Sequence, residues 1–378
     1  MQNKEVYKKL ATHLDYLPGG YPETETGVEL RILEKLFTPE EASLAHHLTL
    51  LDEKPNVIAY RSGIPLQKAS FLLEDMARKG LIFFTLEPDG STSYMAAQFV
   101  VGIWEMQVGR LKKELADLFE EYLPDLFHKN EWKEVPQLRT VPVEQSIDSE
   151  LRVLPYERAR ELIRGKSNFI VTPCICRVEK GLGDNACNKP LETCISFGTE
   201  EDYFASSGFG RQATMEEVLD ILVLADKKGL VIQPSNGKEI KWICCCCGCC
   251  CGVLRTIKTF PKPNELTSSP FTLAINIDLC DGCKKCIKRC QMDAITVPLD
   301  KIVWEKDRCI GCGLCVTSCS TGALALERKP NTEQPRVPKD IVEASIKTLK
   351  LRDKARLPNL AMMLIRSKRD RFLARNVR

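Results

Sequence analysis

The sequence predicts a multidomain α+β chain. Three observations lead there. The length of 378 residues exceeds what one core usually organises, and at roughly 100–200 residues per domain it implies two or three domains. Helical periodicity in the first hundred residues gives way to a hairpin pattern. All 19 cysteines lie between Cys174 and Cys319, in four clumps, so one part of the chain is chemically unlike the rest. The expected organisation is a small helical domain over 24–100, a long helix and linker over 101–155, and a cysteine-rich α/β domain over 156–256. A second cysteine-bearing domain over 271–328 and a basic helical tail over 331–378 complete it.

Thr38, Pro39 and Glu41 open the first recognisable helix, with capping-box spacing and proline at the first helical position. A short helix follows over Pro55–Arg61, and Gly63 turns the chain. Leu66, Ala69, Leu72, Leu73 and Met76 fall at helical spacing, and Gly80 ends that helix. The segments LIFF and SYMAAQF, on either side of Pro88-Asp89-Gly90, read as two strands and a turn. Three helices and a two-stranded wing resemble the winged-helix family. Gln98 to Phe127 reads as one long amphipathic helix, and Pro136 to Pro155 as a linker or arm. MEEVLDILVLADKKGLV reads as a helix followed by a strand, and Pro261 to Pro270 as a second linker.

The strongest signal is an internal repeat. IDLCDGCKKCIKRCQMDAITV and KDRCIGCGLCVTSCSTGALAL each contain C-x2-C-x2-C-x3-C. A cubane presents four irons, each wanting one thiolate. Three closely spaced cysteines can wrap three corners, while the fourth starts a helix leading away and reaches the other cube. That assigns Cys280, Cys283, Cys286 and Cys319 to one [4Fe–4S] cluster, and Cys309, Cys312, Cys315 and Cys290 to another. Gly282, Gly311 and Gly313 stand where the chain must hug a cube. Zinc motifs pair C-x2-C units across longer spacers and do not need a triplet with a distant fourth cysteine. The segment resembles the two-cluster bacterial ferredoxin family, which implies a βαββαβ arrangement with pseudo-twofold symmetry. The proline usual after each fourth cysteine is Gln291 in one repeat and Ser320 in the other.

The second signal is C-x-C-x10-C-x6-C, at Cys174, Cys176, Cys187 and Cys194, followed fifty residues later by WICCCCGCCCG. Adjacent side chains on an extended chain point to opposite faces, so the cysteines over 244–251 cannot all reach one metal. Candidate ligands besides the first four are Cys244, Cys246, Cys247, Cys249 and Cys250. The pattern resembles an uncharacterised group of multi-cluster iron–sulfur proteins from anaerobes, with a C-x-C-R segment, a C-x6-C segment ending near S-F-G, and a C-terminal two-cluster ferredoxin. One further [4Fe–4S] cluster is expected, with two clusters, or a structural zinc or thiol–disulfide site, as alternatives. Arg177 could donate to cluster sulfur or form a surface salt bridge.

The net charge of +3 is too small to argue for nucleic acid or membrane. The N-terminus shows no apolar signal segment, and the charge-free run Trp242–Leu254 falls well short of the ~20 residues that span a bilayer. Thiols in a reducing, cytoplasmic compartment are expected, with any membrane reached only through a partner. Gly181-Leu-Gly183 and Gly208-Phe-Gly210 complete no dinucleotide loop, and no P-loop occurs. Of His13, His46, His47 and His128, the pair His46 and His47 reads as packing or surface residues. Residues 1–96 hold 10 Lys/Arg against 14 Asp/Glu, which disfavours DNA and favours a protein contact or homodimer through the winged helix. From Arg336 to Arg378 there are 13 Lys/Arg against 4 Asp/Glu, and Leu357, Leu360, Ala361, Leu364 and Ile365 share a helical face expected to dock on its own domain. The expected function is iron–sulfur electron transfer, feeding an anaerobic oxidoreductase through redox partner proteins. The alternatives are a redox-sensing transcription regulator, or an enzyme built on an open cluster or a thiol/disulfide pair.

Overall fold

The computed structural model describes residues 2–87, 89–127, 129–197, 209–298, 302–352 and 357–376, without the side chains of 2, 3, 129, 130, 357–363 and 376. Pro88, His128, Gly198, Gly208 and Arg378, and the side chains of Leu357, Leu360 and Ala361, lie outside the described residues. The chain divides into two units. The first comprises residues up to 126, with 209–211 and the chain from 345 on; the second comprises 127–197 and 212–344.

In the first unit, α1 (Gln2–Asp15), α2 (Val28–Leu36), α3 (Pro39–Ala45), α4 (Pro55–Ser62) and α5 (Leu66–Arg78) precede a hairpin of β1 (Ile82–Leu86) and β2 (Thr92–Ala96). The Thr38 hydroxyl accepts from the Glu41 amide at 3.3 Å, and the Glu41 carboxylate accepts from the Thr38 amide at 2.7 Å, closing the capping box. α5 buries Ala69, Leu72, Leu73 and Met76, and Gly80 follows it at φ +73°.

The single helix expected over Gln98–Phe127 is not formed. Val100, Val101 and Gly102 break helical geometry within Phe99–Ile103, a short 3-10 turn covers Glu105–Gln107, and α6 spans only Lys113–Leu126. The β-branched pair and the glycine are poor helix formers. The irregular turn also aims Phe99, Ile103, Trp104 and Met106 inward, all at most 1% exposed, with Trp104 stacked on Phe119 at 3.8 Å.

The tail helix Leu357–Leu373 docks on α4, and of the expected apolar face only Leu364 and Ile365 have described side chains. Leu364 and Ile365 are 47% and 65% exposed, whereas Ser367 and Asp370 are buried. Arg61 joins Glu53 at 2.6 Å and Asp370 at 2.8 Å, with all three side chains at most 3% exposed, and Ser367 donates to Glu53. A buried cation satisfied on two sides fixes this docking more specifically than apolar area would.

The second unit starts with α7 (Lys129–Glu134) and then an extended arm. The arm is not a free linker. Leu138 and Val141 pair with Ser235 and Ile232, the Thr140 amide donates to Ser268, and the Val143 amide donates to the Cys312 carbonyl. The stretch Pro261–Pro270 is likewise packed down, with Leu266, Ser268 and Ser269 buried.

α8 (Ala159–Ile163), β3 (Phe169–Pro173), α9 (Ile175–Gly181), β4 (Glu192–Phe197), β5 (Arg211–Ala213), α10 (Met215–Lys227), β6 (Val231–Pro234), β7 (Trp242–Cys246) and α11 (Gly252–Lys258) follow. The sheet order is β5-β3-β4-β7-β6, with β3–β4, β4–β7 and β7–β6 antiparallel. Its register sets Cys194 opposite Cys244.

Last come β8 (Phe271–Ile275), α12 (Lys285–Arg289), β9 (Ile295–Thr296), β10 (Val303–Trp304) and β11 (Leu324–Arg328), with β8 paired to β11 and β9 to β10. The second repeat has a 3-10 turn, Val316–Ser318, where the first has α12. Among the described residues, no helix is long and apolar enough to cross a membrane.

Candidate metal centres

The two repeats build two cavities. Cys280, Cys283, Cys286 and Cys319 line an open one of about 350 Å³. Cys290, Cys309, Cys312 and Cys315 line another of about 400 Å³. In each, the fourth cysteine of one repeat lies with the triplet of the other. The fourth cysteines also receive matched amide donors. Cys290 accepts from Met292 and Ala294, the latter at 3.2 Å, and Cys319 accepts from Thr321, Ala323 and Leu324. Donors aimed at sulfur stabilise its negative charge.

The two cavities differ in exposure. Around the first, Ile277 and Leu279 are 52% and 49% exposed and Cys283 is open to solvent. Around the second, Ile310, Gly311, Gly313 and Leu314 are buried. Burial pushes the Cys312 thiol up to about 12 and raises Cys315, Cys290 and Cys286. A thiolate in such a place needs a cation beside it, and soft sulfur donors around a cavity fit a [4Fe–4S] cluster. The crowding at the glycines comes from protein. A Cβ on Gly311, at φ +67°, would stand 2.3 Å from the Phe271 carbonyl, and one on Gly313 would stand 2.0 Å from the Ser146 hydroxyl.

The middle-domain cysteines sort into two groups. Cys174, Cys176, Cys187 and Cys194 do not form one set. Cys174, Cys176, Cys251, Cys246, Cys244 and Cys194 follow one another as a chain of neighbouring thiols. Neighbouring thiols lower Cys174, Cys244 and Cys251, while neighbouring thiols and burial raise Cys176, Cys194 and Cys246. The sheet explains the grouping. Cys244 and Cys246 share one face of β7, and Cys194 faces Cys244 from β4. Cys174 and Cys251 each stand at a helix N-terminus.

The second group is Cys187, Cys247, Cys249 and Cys250, whose sulfurs all lie within 4.8 Å of one another. The neighbouring Cys250 thiol and the Arg177 cation hold Cys247 down at about 4. Cys245 joins neither group. It turns into the apolar core, 1% exposed, and burial pushes its thiol up to about 12.

Arg177 lies between the groups. It is 3% exposed, so the surface salt bridge is excluded. Its guanidinium donates to the carbonyls of Pro190 and Cys245 at 2.9 and 2.7 Å and to Thr193. Burial opposes its charge, but the facing sulfurs of Cys174, Cys247 and Cys246 hold its pKa above the usual arginine range.

Sequence reasoning did not select Cys251. Its signal is the helix start that follows it, which sends the thiol back toward the face already holding Cys244 and Cys246. The buried repeat also meets the cysteine loop directly. Gln291, next to Cys290, accepts from the Gly248 amide at 2.8 Å, and Met292, Ile310 and Leu314 share one core with Cys245, Cys247 and Cys250.

A family model described as a 4Fe-4S dicluster domain matches residues 279–324, a span that holds all eight cysteines of the repeats. No curated protein and no solved structure gave a match. The chain therefore carries a 4Fe-4S dicluster domain of ferredoxin type, which supports an iron–sulfur electron-transfer role.

Proposed function

We propose that the chain relays electrons between a partner protein and a third metal centre in its middle domain. Each [4Fe–4S] group, when bound, takes up and gives back one electron. The chain's own residues decide where exchange with a partner is possible. Cys280, Cys283, Cys286 and Cys319 hold the docking end, because Cys283, Ile277 and Leu279 are open to solvent. Cys290, Cys309, Cys312 and Cys315 hold the buried end. The observation that carries the reading is the Gln291–Gly248 hydrogen bond, which joins that end to the cysteine-rich loop within one core. The third centre, a [4Fe–4S] cluster, would use ligands from Cys174, Cys176, Cys194, Cys244, Cys246 and Cys251, with Arg177 offsetting part of their charge.

Residues 24–100 are read as a winged-helix-like module for a protein contact or a second copy. The support is the helix-then-hairpin order, together with the acidic balance of 10 Lys/Arg against 14 Asp/Glu over 1–96, which does not suit DNA. The whole is read as the electron-feeding component of an anaerobic oxidoreductase in a reducing, cytoplasmic compartment, a reading to which 19 free thiols are suited.

Rapid-freeze EPR after anaerobic mixing with a reduced viologen tests the relay, using the wild type and Cys312→Ala. The variant should reduce its exposed centre at the wild-type rate and its middle-domain centre more slowly. An unslowed middle-domain signal would refute the route.

A further inference from the structure

We propose that Cys187, Cys247, Cys249 and Cys250 form a closed tetrathiolate site for a single zinc ion, distinct from every iron–sulfur centre of the chain. The first support is metric. All four sulfurs lie within 4.8 Å of one another, and those of Cys249 and Cys250 are 3.8 Å apart. With Zn–S bonds of about 2.3 Å, a tetrahedron has edges of about 3.8 Å. In a cubane each thiolate takes a different iron, so the sulfurs stand farther apart than four on one atom can.

The ferredoxin repeats provide an internal comparison. Their two quartets line pockets and do not gather within that 4.8 Å distance. Among the described residues, only the set with Cys187 closes on one point. Four sulfurs and no other donor make a closed, structural type of site, and tetrahedral sulfur ligation favours zinc over the harder divalent ions.

The local chain explains the convergence. β7 ends at Cys246, and the chain then turns at Gly248, where a Cβ would stand 2.3 Å from the Gln291 carbonyl. Glycine at that point lets Cys247, Cys249 and Cys250 share one side of the turn. Cys187 comes from the exposed loop between α9 and β4. A metal there would clasp that loop to the end of β7, two segments sixty positions apart in sequence. Four thiolates around Zn²⁺ leave two negative charges, and the buried Arg177 guanidinium against Cys247 offsets one of them.

Such an ion is redox-silent, so the site braces the junction between the buried ferredoxin quartet and the middle domain and carries no electron itself. The inference does not depend on the relay, since the six other thiols stay available for a cluster.

The test is anaerobic quantification of zinc, iron and acid-labile sulfide in the full chain and in Cys249→Ala, whose side chain is exposed and whose loss opens no core cavity. The wild type should hold about one zinc. The variant should lose it while iron and sulfide stay unchanged. Protein expressed with cobalt in zinc-depleted medium should show the visible bands of tetrahedral Co²⁺–thiolate in the wild type, which needs no variant to fold. Absence of both zinc and cobalt bands would overturn the proposal. So would loss of about four irons and four sulfides in Cys249→Ala, which would mark a cluster at this place. EPR of the reduced ferredoxin pair in the same samples reports separately on the electron-transfer reading.

Discussion

Arg177 follows a C-x-C pair, and its sequence context left two roles open. Burial decides between them. A guanidinium that is 3% exposed, with thiols as the charges facing it, has those sulfurs as its counterions. Arg177→Gln removes the cation while leaving Cys174, Cys246 and Cys247 buried. Breaking a buried charge contact from one side costs about 3 kcal/mol, so chemical denaturation should show a loss of that order. The middle-domain centre should also become harder to reduce, seen as a more negative midpoint in an EPR-monitored titration, because an added electron loses its nearest positive charge. Arg177→Lys keeps the charge without the fork of donors and should fall between. An unchanged midpoint in Arg177→Gln would separate the residue from the centre.

At the scale of elements, strand alternation was the legible part of the cysteine run. It foretold that the cysteines over 244–251 could not all reach one metal, since successive side chains on a strand point opposite ways. It could not foretell where the chain leaves the strand, and that turn is what separates Cys247, Cys249 and Cys250 from Cys244 and Cys246. Cys187 went to the second group for the same reason. Spacing along the sequence placed it with Cys174, Cys176 and Cys194, whereas the sheet brings only those three to β7.

The helix expected over 98–127 failed because apolar spacing alone suited a helix, while Val100, Val101 and Gly102 disfavoured one locally. The glycines of the repeats were legible in place but not in cause. Gly282 holds φ +70°, and Gly311 adds to φ +67° a backbone carbonyl 2.3 Å from where a Cβ would sit. Gly282→Ala should cost about 1 kcal/mol, and Gly311→Ala about 3 kcal/mol with a backbone shift. EPR of the reduced variants should show the buried cluster lost in Gly311→Ala and both clusters kept in Gly282→Ala. Equal effects would contradict this account of the loop.

At the scale of the whole molecule, the part-buried histidines of the first unit give one response to acid. Burial pushes His13 and His47 down to about 4, with the His46 ring tilted against His47 at 4.0 Å and Arg61 and Arg366 adding to the depression of His47. These histidines are neutral when folded and charge more readily when unfolded. Their contribution is therefore present above about pH 6.5 and lost as pH falls from there toward about 4. A shifted histidine loses at most about 1.4 kcal/mol for each pH unit of that fall, and these part-buried rings lose less. Melting of the full chain followed by circular dichroism should show this decline. His13→Phe should flatten it, and an equally steep decline in that variant would contradict the assignment.

The sequence made plain that eight cysteines belong to paired repeats and that eleven do not. It could not show how the eleven divide, because the division depends on sheet register and one turn. The most direct test of the account is anaerobic iron and sulfide quantification of the full-length protein, with EPR of its reduced form. The account predicts about twelve irons and twelve sulfides per chain, as three [4Fe–4S] clusters. About eight of each would mean that the ferredoxin pair stands alone, and would contradict the third centre on which the proposed function rests.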